Sequence, residues 1–139
     1  MKHVLVFVIL IIAALGVWYL SGTPLGYTYE NASSDNIVVD VPKPGDAIGK
    51  TFTVSGKARG TWFFEASFPV VLMDTSGNVL WQGPAQAEGE WMTEDFVPFS
   101  VTVTLTSSYT GSATLVLKRD NPSGLPEHDA SVSFPIILQ

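Results

Sequence analysis

Val97-Pro98-Phe99-Ser100-Val101-Thr102-Val103-Thr104-Leu105-Thr106 is the stretch whose reading decides the fold. Val97, Phe99, Val101, Val103 and Leu105 fall on one face, and Pro98, Ser100, Thr102, Thr104 and Thr106 on the other. Successive side chains of a strand point to opposite sides of a sheet, so a period of two gives one packed face and one wet face. The stretch reads as a half-buried strand.

Working outward, the alternation recurs in Ile37-Val39-Val41, Phe52-Val54, Phe64-Ala66-Phe68-Val70-Leu72, Val79-Trp81, Ala113-Leu115-Leu117 and Val132-Phe134-Ile136-Leu138. No helical period lasts more than a turn beyond Asn36. The separators are turn-formers. Pro42-Lys43-Pro44-Gly45-Asp46 fixes φ twice and then permits a positive φ, Asp74 to Asn78 links a hairpin, and Asp120 to Pro126 breaks the ladder. Seven strands in roughly 100 residues predict an all-β, immunoglobulin-like antiparallel β-sandwich, with an open barrel as the alternative. There is no cysteine, so packing alone must hold the fold, and the bridging pair of antibody domains is missing.

The N-terminus reads differently. Val4 to Leu20 is uninterruptedly apolar, and about 17 helical residues at ~1.5 Å each just cross a bilayer core. Trp18 and Tyr19 suit the outer headgroup layer, and Lys2 keeps the N-terminus inside. Residues 1–21 are therefore expected to be a transmembrane anchor. Ala14-Leu15-Gly16 leaves a cleaved signal peptide, and a secreted domain, as the alternative. Residues 22–35, polar and turn-rich, read as a flexible linker, and 36–139 as the exported domain outside the cytoplasmic membrane. Asn31-Ala32-Ser33 formally matches a glycosylation acceptor.

Lys+Arg 7 against Asp+Glu 13 gives a net charge of −6, which repels phosphates and excludes nucleic acid as a natural partner. A catalytic set is hard to assemble. The histidines are His3 and the loop residue His128, and no serine sits in a Gly-x-Ser-x-Gly turn. No metal or other cofactor is expected. A carboxylate pair would need a cleft that a domain this small rarely forms. Asp120 to Asp129 (DNPSGLPEHD) offers oxygen ligands of the type calcium uses, including Asp120, Asn121 and Glu127, but at a spacing that fits no calcium loop. Glu65 stands in an apolar run, as a contact residue or as an outward side chain paired with Arg59 or Lys57.

Several strings, in order, carry a resemblance: Val41-Pro42-Lys43-Pro44-Gly45-Asp46, Phe52 to Ala58, Trp62 to Val70, Trp91-Met92, Phe96 to Phe99, and Ser123-Gly124. Together they resemble the immunoglobulin-like domain of bacterial spore germination, the second type of Gmad domain, over nearly all of Ile37 to Leu138. The resemblance implies an immunoglobulin-like sandwich in the bacterial cell envelope, with no catalytic residues. Such domains often accompany a germination-protein domain on lipoproteins. This chain has neither that companion nor a lipid-accepting cysteine.

The expected function is a membrane-tethered binding or assembly module for an envelope protein or wall glycan, with a purely structural spacer as the alternative. Trp62, Trp81 and Trp91 lie beside turns, and indole rings serve both sugar stacking and protein hot spots. Trp81 reads as a plug for the end of the core, and Trp91 fits either role. The candidate contact residues are Trp62, Glu65, Trp91, Asp120, Asn121 and Glu127.

Overall fold

The computed structural model describes residues 26–139; the expected anchor, 1–21, and the first part of the expected linker lie outside them. Nine strands follow in chain order: β1 (Thr28–Glu30), β2 (Ile37–Val41), β3 (Ala47–Ile48), β4 (Thr51–Arg59), β5 (Ser67–Asp74), β6 (Val79–Ala87), β7 (Phe96–Thr104), β8 (Gly111–Lys118) and β9 (Ser131–Leu138). Short 3₁₀ turns occupy Gly60–Trp62 and Pro126–His128. Among the described residues no helix is long and apolar enough to cross a membrane.

All seven expected strands are present, with altered limits, and β1 and β3 are additional. The sheet order is β1-β9-β8-β5-β6-β7-β4-β2, antiparallel throughout, and β3 adds to β9 in parallel. β6 pairs with β5 and then passes Gln86 and Ala87 to Ser100 and Phe99 of β7, so the hydrogen bonding runs unbroken through one curled sheet. That curl is consistent with an immunoglobulin-like sandwich.

Its closure follows from the inward faces. Phe68, Val70, Leu72, Leu115, Leu117, Phe134 and Ile136 come from one layer and meet Ile37, Val54, Val97, Phe99 and Val103 from the other, all buried. Each such side chain contributes about 1.5–3 kcal/mol on burial. Phe68 and Phe99 meet edge-on across the layers at 4.9 Å, a favoured quadrupolar arrangement. In β7 the predicted apolar face is buried except for the half-buried Val101, while Pro98, Thr102 and Thr104 are exposed.

Most of the expected linker proves to be part of the domain. Within it, β1 pairs Thr28–Glu30 with Ser131–Ser133 of β9. Tyr27 packs edge-on against Phe134 at 5.1 Å. The Tyr27 and Tyr29 hydroxyls donate to the carbonyls of Val39 and Ile37, each at 3.4 Å, bridging the two outermost strands of the curl. Those carbonyls would otherwise form an open edge, a template for unwanted pairing. Burial pushes both phenols above the usual tyrosine range, and for Tyr27 the nearby Tyr29, Asp40 and Asp46 add to it.

Candidate functional site

The strand directions send four connections to one end, the tip: residues 31–36, 60–66, 88–95 and 119–130. Residues 42–46, 75–78 and 105–110 lie at the opposite end, the base. Gly26, the first described residue, lies against Pro44 there.

The Gly60–Trp62 turn is the hub of the tip. Its Gly60 N–H donates to Asp95 O at 3.1 Å, Trp62 O accepts from Asp120 N–H at 3.0 Å, and Thr61 O accepts from Arg119 Nε at 3.2 Å. Arg59 Nε donates to Asp35 O at 2.9 Å. The other three connections are thereby fastened to this turn and to Arg59 beside it. The 88–95 connection comes so close that a Cβ on Gly60 would stand 1.8 Å from Thr93 O and 2.3 Å from Trp91 O. Only glycine fits.

Phe64, Glu65 and Ala66 leave the strand predicted for them. Phe64 and Ser67 exchange both backbone hydrogen bonds around Glu65 and Ala66, whose φ values are +50° and +64°. Positive φ at both central positions makes a two-residue hairpin turn, normally built from Asn-Gly or Gly-Gly. For residues with a Cβ this left-handed backbone costs about 1–2 kcal/mol each, so local strain is held at the tip. The expected pairing of Glu65 with Lys57 or Arg59 is replaced by another arrangement. Both cations lie over the Phe96 ring, 4.7 Å and 3.9 Å from its centre, where the π-face attracts them.

All six candidate residues lie at the tip, but in different roles. Trp62 is 2 % exposed and belongs to the core, so its ring is closed to ligand stacking. Its Nε1–H is buried without a hydrogen-bond partner. Trp91 is half-buried against the core and keeps one exposed part; Glu65 and Glu127 are exposed. Asp120 is half-buried and ties its backbone to the hub. Asn121 is an organiser: its Nδ2 donates to Leu125 O at 2.8 Å and Asp129 Oδ1 at 2.9 Å, and its Oδ1 accepts from Ser123. Asn31 Nδ2 joins this connection to its neighbour through Asp129 O at 3.0 Å. Among the described residues no three His, Asp or Glu side chains gather to hold a metal ion. Trp81 lies partly buried against the core, its ring filling the space a Cβ on Gly83 would need.

Sequence reading missed three side chains that the tip exposes: Phe64 at 43 %, Met92 at 74 % and Leu125 at 48 %. Each comes from a different connection. For Met92 and Leu125 the usable signal was their place near turn-formers, outside any continued alternation; Phe64 keeps the alternation and offered none. Two open clefts flank the tip. One, of about 390 Å³, is lined by Glu30, Lys118, Arg119 and Asp129 with Pro69 and Ser131. The other, of about 310 Å³, lies over Pro69, Gln82 and Pro84 with Asp120 at its border.

An antiparallel sheet curled around one apolar core, with its connections bundled at the ends, defines an immunoglobulin-like module. The sequence profile of the immunoglobulin-like domain of bacterial spore germination matches residues 36–124, and the chain belongs to that family. The match runs from β2 through β8 and bears out the resemblance carried by the ordered strings. No curated protein and no solved structure matches the chain. Family membership points to a non-enzymatic binding or structural module, since immunoglobulin-like domains are in general non-catalytic.

Proposed function

We propose that this protein is a non-catalytic recognition module, tethered outside the cytoplasmic membrane of a bacterial cell by its N-terminal apolar segment, that binds an envelope component through its tip. One observation carries the reading. Three large apolar side chains, Phe64, Met92 and Leu125, from three separate connections, are exposed at the same end of the domain as the half-buried Trp91, on a tip braced by hydrogen bonds to one turn. Soluble domains gain nothing from exposing such side chains together, and a braced surface loses little entropy when it docks. Gly26 lies at the base, against Pro44, so a tether leading in there would direct the tip away from the membrane.

A pure spacer would need no such surface. The two readings separate by placing a photo-reactive amino acid at Met92, or at Val79 near the base, in the full chain in intact cells. Discrete, saturable adducts from position 92 and none from position 79 are expected. Equal patterns from both positions, or none from either, would leave the spacer.

A further inference from the structure

We infer that the partner of the tip is a basic protein segment that also carries bulky apolar side chains. This deepens the reading above and rests on it. The charge is distributed unevenly. Of the 13 carboxylates, only Asp40, Asp46 and Asp74 lie away from the tip and the strand ends bordering it. Ten therefore lie at the same end as Phe64, Met92 and Leu125, against four cations: Lys57, Arg59, Lys118 and Arg119.

Three of those four are already engaged. Lys57 and Arg59 lie over the Phe96 ring, and Arg119 donates to Thr61 O. The base holds Asp40, Asp46 and Asp74 with Lys43 and Lys50, so the tip has six carboxylates in excess and the base one. The acids at the tip are exposed apart from the half-buried Asp120, and therefore reachable.

Such a surface selects by sign. An anionic wall polymer is repelled and a neutral sugar gains nothing from the charge, whereas a cationic chain is both steered in and held. The exposed apolar side chains add what charge alone lacks: they are matched only by a partner that brings apolar side chains to the same end. Exposed carboxylates hold a lysine weakly one at a time, so the surface needs several of them together with apolar contact.

The experiment uses the full chain in neutral detergent micelles, with empty micelles as blank. The probe is a labelled peptide alternating arginine with leucine. Controls carry glutamate for arginine, or serine for leucine. Binding only by the Arg/Leu peptide is expected, weakening about tenfold or more from ~0.05 M to ~0.5 M salt as screening sets in. Glu65→Lys with Glu94→Lys and Glu127→Lys, and separately Met92→Ser with Leu125→Ser, each lower affinity about tenfold. Val79→Ser at the base leaves it unchanged. All these side chains are exposed, so circular dichroism should show each variant folded.

Equal binding of the serine peptide would mean charge alone is read, and would overturn the inference. So would binding insensitive to salt or to the Lys substitutions, or binding of a neutral wall oligosaccharide in place of the peptide. Adducts at position 92 in cells together with no peptide binding would keep the tip as a contact surface and remove the cationic partner. No adducts would remove both.

Discussion

Replacing Gly60 by alanine tests whether the tip is built on close backbone approach. The residue does not need a left-handed φ, so the substitution acts through space alone. The new Cβ stands 1.8 Å from Thr93 O, and ordinary contact begins at 3.4 Å, so the 88–95 connection must retreat by the difference or the turn must twist. Overpacking of this kind costs about 1–3 kcal/mol. Loss of the Gly60 N–H bond to Asp95 O adds about 1 kcal/mol. For a domain of roughly 100 residues, a total of about 2–4 kcal/mol lowers the melting temperature by on the order of 10–20 °C. Differential scanning calorimetry measures this. Gly49→Ala is the control, since a Cβ there meets nothing within 4 Å, and it should leave stability level or slightly raised. If Gly60→Ala melts with the wild type, the close packing of Trp91 to Thr93 on the hub is not a real constraint.

Three further outcomes follow from the same geometry. Glu65→Asn with Ala66→Gly relieves two left-handed residues and should raise the chemical denaturation midpoint by about 1–2 kcal/mol equivalent; a fall would contradict the hairpin turn. Trp62→Ala should cost about 3–5 kcal/mol, and Trp91→Ala clearly less, in urea melts; the reverse order would exchange their roles. The seam phenols titrate above the unfolded value of 10.0 because folding buries them. Their contribution is thus whole below that value and fades as pH rises through the raised folded values. Denaturant midpoints at rising alkaline pH should fall faster for the wild type than for Tyr27→Phe/Tyr29→Phe, and parallel curves would refute it.

Seven strands were legible because a strand's period of two is local and each inward face needs only its own residues. Phe64 to Ala66 defeated that reading for a specific reason. Phe64, Ala66 and Phe68 keep the alternation, while Glu65 and Ala66 carry no Gly or Asn to announce a left-handed turn. Strand β1 was hidden because it spans three residues and its meaning lies in β9 and in two tyrosine hydroxyls reaching β2. Trp62 and Trp91 both flank turns in sequence, and nothing local distinguishes the buried ring from the half-open one.

The amino-acid order by itself determined the all-β class, the sites of most turns, the absence of disulfides and the acidic balance, since each depends on neighbouring residues or on composition. It named six candidate residues without a reason why they should meet. Only the tertiary structure decided that they share the tip, that Trp62 and Asn121 serve the fold there, and that Phe64, Met92 and Leu125 stand open at the end that holds most of the carboxylates. Adjacency between connections about thirty residues apart arises from strand order and direction. Those are fixed by burying all the inward faces in one core, a condition on the whole chain that no local pattern contains.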